Sequence, residues 1–452
     1  MSVNDIICAP ATPFVNSALA VIRVSGDGAL NLFKNSFSSY AKVSHGKAVY
    51  GKLSSNGRIL DELILSYFES PASFTGEDTV ELSCHGNPLI VKNIISFLLE
   101  SGARMAEPGE FSRRAFINGK MDLTEAESVN ALICARSDWE INTALSQMHG
   151  SLKNVINSMR EKLIILKGDI ESAIDFSTEE IEFVSRAEAL KQAEEVRDEV
   201  NDVLRRCSSG AKLSGGIDVP IVGKPNSGKS SLLNLILNSE RAIVSNIPGT
   251  TRDMIKETVQ FGGVHVNLYD TAGIREADCE IEKIGIEKSR EILSRSEVSV
   301  VMLDALSGID SFDEEILKIT ENKKSVILLN KTDCADSTEV ASIKEKVGRD
   351  AIDFSALTGF NFSEFHSKLS EAVRSNFSGC SNSFIADMRV IKILEQSSDA
   401  ADNLVNSIGS GNPEEIIAAD AAELINSLSE ITGIISPDDI LNSIFGRFCI
   451  GK

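Results

Sequence analysis

The residues with the clearest chemistry in this 452-residue chain lie at 223–230, GKPNSGKS, which fits the spacing G-x-x-x-x-G-K-[ST]. Glycines at that spacing let backbone N–H groups turn inward around phosphates, and a following helix adds the positive end of its dipole. Lys229 is placed to reach β- and γ-phosphates and Ser230 to ligate Mg²⁺. Asn226, Ser227, Gly228 and Ser231 complete the cradle. Asp270-Thr271-Ala272-Gly273 closes an apolar run, bringing a carboxylate to the metal and a glycine N–H to the γ-phosphate. Asn330-Lys331-Thr332-Asp333 closes another. A carboxylate at Asp333 accepts from the ring N–H and the 2-amino group of guanine, a paired donor edge that adenine lacks. Ser355-Ala356-Leu357 then completes the base pocket, and Thr251, in the loop PGTTRD, supplies the remaining Mg²⁺ ligand. Any one tetrapeptide reads equally well as a turn at a strand end. Four in this order predict a GTP site.

These motifs need strands and helices to aim them. Five apolar runs, IDVPIVG, VHVNLYD, VSVVMLDA, SVILLNK and AIDFSA, alternate with helical stretches between residues 214 and 377. That alternation predicts a doubly wound parallel sheet. Residues 1–118 read as mixed strands and one helix (ALAVIRVSG, LILSYFE, DTVELSCHG, then 87–102 closed by Gly102), an α+β domain. Residues 119–213 and 378–452 are helical in texture, with a Thr124/Glu127 capping box and an amphipathic run through Ala193, Val196, Val200 and Val203. The α/β block is therefore expected as an insertion into a helical domain. The fold class expected is multidomain, α+β and α/β.

Composition narrows the partners. The net charge of −21 argues against indiscriminate coating of nucleic acid. Arg104, Arg113, Arg114 and Lys120 form the densest basic stretch, readable as a solvated loop or as an RNA contact. Eight scattered cysteines without a C-x-x-C pair fit reduced thiols, and no 18-residue apolar run predicts a membrane span. A cytoplasmic protein is expected.

The GTTRD loop, DTAGIREA…EIEKIGIEKS and the terminal FCIGK, with VIRVSG, SFTGEDTVELSCHG and PGEFSRRAFINGKMDLTEAE upstream, resemble the bacterial tRNA modification GTPases of the MnmE/TrmE family. The resemblance covers nearly the whole chain. It implies a homodimer with an N-terminal folate-binding domain at 1–118, a helical domain at 119–213 and 378–452, and an inserted G domain at 214–377. It also implies GTP hydrolysis that drives 5-carboxymethylaminomethyl-type modification of the tRNA wobble uridine, with a flavin-dependent partner protein in a heterotetramer. The family pattern places a K⁺ on Asn226, Ser245, Ile247 and Thr250, with Asn246, Pro248 and Gly249 in the same nucleotide-facing loop. Glu282 matches the catalytic glutamate acting on the attacking water. Ile274 stands where many small GTPases carry a water-orienting glutamine. Arg23, Glu81, Lys120 and Lys452 match positions that bind a 5-formyl-tetrahydrofolate-type ligand. Cys449, beside that pocket, is read first as a buried core cysteine and second as a functional thiol. The family's usual glycine-rich stretch is replaced by Phe14–Ala20, which holds no glycine.

Two further readings compete. An RNA-binding regulatory GTPase switch without modification chemistry predicts a basic appended module. Residues 378–452 instead carry four Lys/Arg and eleven Asp/Glu. A folate enzyme in residues 1–118 leaves the G domain without a role.

Overall fold

A computed structural model describes residues 5–175, 185–239, 256–270, 293, 295–376, 382–435 and 438–452. The chain divides into two compact units, one of residues 1–133, 145–200 and 393–452, the other of 134–144 and 201–392.

The first unit is built on a six-stranded sheet ordered β3-β4-β5-β2-β1-β6. Its strands are β1 (Ile7–Pro10), β2 (Ser17–Ser25), β3 (Ala48–Ser55), β4 (Arg58–Phe68), β5 (Thr79–Gly86) and β6 (Arg104–Met105). In β4 Leu63 and Leu65 point into the core while Glu62 and Ile64 face out, the period of two that fixes strand register. Helix α1 (Pro88–Glu100) covers the sheet with Val91, Ile94, Phe97 and Leu98. The Asn87 side chain caps its start and Gly102, at φ 106°, follows its end. The glycine-free stretch runs straight into the sheet, with Ser17–Ala20 as the irregular start of β2.

Helices α2 (Glu110–Ile117), α3 (Leu123–Cys134), α4 (Asp138–Met148), α5 (Ser151–Asp175) and α6 (Arg186–Ser214) follow. The capping box at the start of α3 is not Thr124/Glu127. Asp122 Oδ1 accepts from the Glu125 N–H at 2.8 Å, and Glu125 Oε2 accepts from the Asp122 N–H at 2.7 Å. The helix starts two residues earlier because this phase buries Leu123 and Ala126 against Phe445 and Phe448.

Two members of the basic stretch are paired with carboxylates, while Lys120 is exposed. Arg114, 5% exposed, is bonded to Asp5, Glu77 and Glu110, and Arg104 to Asp5 and Glu110.

The second unit carries β7 (Ile217–Val222), β8 (Lys256–Phe261), β9 (Val264–Asp270), β10 (Val298–Asp304), β11 (Lys324–Asn330) and β12 (Ala351–Asp353), ordered β12-β11-β10-β7-β9-β8. The five predicted strands are parallel. The sixth, β8, pairs antiparallel with β9 through a Gly262–Gly263 turn in which both residues have positive φ. Along β10, Val298, Val300 and Met302 enter one core while Val301 and Leu303 enter the other, so the sheet is buried on both faces. Helices α7 (Lys229–Ser239), α8 (Ser311–Ile319), α9 (Ser337–Val347) and α10 (Phe362–Asn376) belong to this unit. Trp139 of α4 also packs against its core and donates its backbone N–H to Gly263 O at 3.2 Å.

Three helices follow, α11 (Met388–Ser410), α12 (Glu414–Thr432) and α13 (Asp438–Phe445). Within the first unit α12 packs along α5, where Arg160 donates to Ser429 Oγ at 2.8 Å. Among the described residues no helix is long and apolar enough to cross a membrane.

Candidate functional site

The central strand β7 delivers the chain into the loop 223–228. Gly223, at φ 154°, passes so close to β10 that a Cβ there would lie 2.2 Å from Met302 O. A Cβ on Gly228, at φ 101°, would lie 2.2 Å from Asn330 Nδ2. Both positions demand glycine, which alone adopts such backbone without cost. Asn226 takes the left-handed conformation at φ 61° and is exposed. Lys229 opens α7, is buried, and donates from Nζ to Gly223 O at 2.9 Å and Lys224 O at 2.6 Å. Ser227 Oγ is buried and has no hydrogen-bond partner among the described residues. Ser230 and Ser231 lie exposed in the first turn of α7. A turned-in lysine, an orphaned hydroxyl and a helix N-terminus suit the loop to an oxyanion.

At the end of β11, Asn330 Nδ2 donates to Ser227 O at 2.7 Å, and Asn330 Oδ1 accepts from the Ala356 N–H at 2.9 Å. One buried side chain thus joins the phosphate loop to both base-pocket motifs. Lys331, at φ 67°, pairs its Nζ with Asp304 Oδ2 at 2.7 Å. Asp333 is exposed, and the Ser355 hydroxyl, with a smaller share from the Cys334 thiol, holds its carboxyl below the usual range. Leu357 is 89% exposed beside them. Ser245, Asn246, Ile247, Pro248, Gly249, Thr250, Thr251, Thr271, Ala272, Gly273, Ile274 and Glu282 lie outside the described residues, and Asp270 is described only as the last residue of β9.

A second cluster lies in the first unit. Arg23 on β2 and Glu81 on β5 are register partners, and their side chains pair at 2.8 Å. The Arg23 guanidinium stacks over Phe74 and Phe111, with ring centroids at 5.3 and 5.7 Å, and Nη1 reaches Gly451 O at 3.4 Å. Lys452 sits close enough that burial, and then the Arg23 charge, push its ammonium below the usual lysine range. Lys120 instead donates to Pro71 O at 2.9 Å, on the loop that carries Phe74. Cys449 is exposed, which corrects the reading of a buried core cysteine. It stands in the terminal turn, where its carbonyl accepts from the Gly109 N–H.

Sequence reading missed the residues that brace these sites. Phe74 and Phe111 carry no motif. Lys224 was an unassigned position within the phosphate loop, and its partners Asp310 and Asp313 lie on α8 or at its cap. Asp304 was legible only as the last residue of an apolar strand.

The family described as "GTP-binding protein TrmE N-terminus" matches residues 6–120, and that described as "MnmE helical domain" matches residues 123–449. The tRNA modification GTPase MnmE of Thermotoga maritima is 37% identical over 451 residues, covering 99% of this chain and 100% of the relative. The chain belongs to the MnmE/TrmE family of tRNA modification GTPases. MnmE of Carboxydothermus hydrogenoformans is 38% identical over 460 residues, with 99% and 100% coverage. Among solved structures, Aquifex aeolicus Era bound to GDP and aluminium fluoride is 26% identical over 40% of this chain and 66% of that one, with a TM-score of 0.27. The resemblance read from the motifs and the expected fold class are those of the MnmE/TrmE family, and the family's enzyme class is GTP hydrolase.

Proposed function

We propose that this chain hydrolyses GTP, in a potassium-stimulated reaction, to drive 5-carboxymethylaminomethyl-type modification of wobble uridine in tRNA with a flavin-dependent partner protein. The observation carrying the GTP reading is the Asn330 bridge, which draws the loop 223–230 and the segments 330–333 and 355–357 into one site. The tRNA and its partner protein enter through the family. The reading takes the chain as a cytoplasmic homodimer, with domains at 1–118, 119–213 with 378–452, and 214–377.

In this reading Lys229 leaves the Gly223 and Lys224 carbonyls for the β- and γ-phosphates, while loop N–H groups and the α7 terminus face them. Asp333 and the 355–357 turn select guanine. Ser230 and Thr251 would hold Mg²⁺, with Asp270 near it. Asn226, Ser245, Ile247 and Thr250 would hold K⁺, and the left-handed turn leaves the Asn226 amide exposed for this. When bound, the two ions would supply positive charge against the phosphoryl oxygens. Thr271–Gly273 and 246–249 would contact the nucleotide, and Glu282 would orient the attacking water, since apolar Ile274 cannot.

Arg23 and Lys452, two cations kept side by side, suit an anionic ligand such as a 5-formyl-tetrahydrofolate, with Glu81 bonding its neutral donors and Lys120 at the rim. Cys449 is an exposed thiol beside it.

Two measurements test the proposal. Wobble nucleosides from cells lacking this protein should lose the 5-substituted uridine by mass spectrometry; an unchanged profile overturns the modification role. GTP turnover should be faster in potassium than in sodium at equal ionic strength, and Glu282→Ala should cut it at least about tenfold with GTP affinity kept. Equal rates in both salts with an active Glu282→Ala enzyme overturn the hydrolysis mechanism and leave the GTP site standing.

A further inference from the structure

Lys224 occupies a position in the phosphate loop that the chemistry of phosphate binding does not use. Its side chain turns away from the cradle and is only 15% exposed. Nζ meets three acceptors: Asp313 Oδ2 at 2.5 Å, Gly308 O at 3.0 Å and Asp310 Oδ2 at 3.1 Å. Asp313 is fully buried. It cannot swing away, because Asp310 and Asp313 cap α8 reciprocally. Asp310 Oδ1 accepts from the N–H groups of Phe312 and Asp313, and Asp313 Oδ2 accepts from the Asp310 N–H. An exposed ion pair would contribute little, but a carboxylate held this deep needs its cation.

The backbone of the same residue faces the other way. The Lys224 carbonyl accepts from Lys229 Nζ, as does the adjacent Gly223 carbonyl. Gly223 has no slack against β10, so the loop's remaining freedom at this point lies in the Lys224 peptide. The connection from β10 to α8 also begins at Asp304, which holds Lys331 of the base loop. One connection therefore grips the phosphate loop through Lys224 and the base loop through Lys331.

We infer that Lys224 is a positioning residue. Its bond to Asp313 fixes the carbonyls that hold Lys229 and keeps the phosphate loop shaped before nucleotide arrives. A loop ordered in advance does not lose that freedom on binding, so the brace appears as affinity for phosphates rather than as stability alone. The inference rests on the reading of residues 223–230 as the phosphate loop.

The test uses the full-length chain, with fluorescent GDP and GTP titrations and thermal melting of each variant. Lys224→Met should weaken both nucleotides at least tenfold, and Lys224→Arg, which keeps the charge, less than threefold. If Lys224→Met does not fold, the pair Lys224→Met with Asp313→Leu carries the test, since it leaves no unpaired buried carboxylate. That double variant should fold, with only the modest loss of one capping bond, and still bind both nucleotides at least tenfold more weakly. A stable double variant binding as tightly as wild type overturns the brace alone. A wild-type chain that binds neither nucleotide, or a Lys229→Ala chain that binds as well as wild type, overturns the phosphate-loop reading and the brace with it.

Discussion

The Asn330 side-chain amide is fastened to the Ser227 carbonyl at 2.7 Å, across 103 residues of sequence. Its oxygen is occupied by the Ala356 N–H, so this 3%-exposed side chain has a partner at each end. Asn330→Ala leaves two backbone groups without their partner, each costing about 1–3 kcal/mol when buried. The expected outcome is a lower melting temperature and GDP affinity reduced about tenfold or more, read by fluorescent-nucleotide titration. Asn330→Asp keeps an acceptor for Ala356 but sets a buried carboxylate oxygen against the Ser227 carbonyl with no cation beside it, and should lose at least as much affinity and stability as Asn330→Ala.

Asp333→Asn should shift base preference. Losing the charge-assisted pair to guanine costs roughly 1.5–3 kcal/mol, about ten- to a hundredfold in affinity. Competition between GTP and xanthosine triphosphate should show the variant favouring the latter; equal GTP affinity in both proteins would remove Asp333 from the base pocket.

Calorimetry with 5-formyl-tetrahydrofolate should give a binding heat that Arg23→Ala weakens. Arg23 is held between Phe74, Phe111 and Glu81, so the substitution removes both a charge and a stacked plane. No heat at millimolar ligand would sink the assignment. Because Lys452 loses its proton below the usual lysine range, binding of an anion there should fade on the alkaline side earlier than an ordinary lysine would allow. Titrations from neutral to alkaline pH check this.

Acid should loosen the first unit through Asp5 and Glu110. The Arg104 hydrogen bond lowers the Asp5 carboxyl; at Glu110 burial works in the opposite sense but Arg104, the Glu107 N–H and Arg114 outweigh it. Carboxylates with a folded pKa below the unfolded one contribute fully above the ordinary carboxylate range, and that contribution is lost as pH falls through their folded values. Urea melts of the full chain, followed by a probe in the first unit, should show this loss toward pH 3. Glu110→Gln should cost about 3 kcal/mol near neutrality, the low end for opening a buried pair, because Arg104 keeps Asp5 and Arg114 keeps Glu77. The same variant should show a flatter acid limb.

What the sequence discloses here is whatever a short segment determines by itself. Gly223, Gly228 and Lys229 are set by spacing within eight residues, and β10 by one run that is apolar except for Ser299 before its closing Asp304. Strand β8, KETVQF, has four polar residues out of six and acquires its place only by pairing with β9 at the sheet edge. The α3 capping box was misplaced because Thr124 and Asp122 offer similar local signals, and burial of Leu123 decides between them. Arg114 looked like part of a positive patch because Asp5 and Glu77 stand 109 and 37 residues away. Cys449 looked buried by residue type, yet the terminal turn leaves it outside while Phe448 goes in. The brace from Lys224 to Asp313 has no local signature at all.

The terminal turn has a consequence for the order in which the molecule is made. Residues 201–392 of the second unit are synthesised before any of 393–452, and its sheet needs nothing from that last segment. The first unit, begun at the N-terminus, waits for α12 to lie along α5, and then for Gly451 and Lys452 to reach Arg23 and Phe111. During translation the guanine-nucleotide fold therefore precedes the finished Arg23 pocket. A nascent chain arrested just past residue 392 would carry the complete second-unit sheet beside an unfinished first unit.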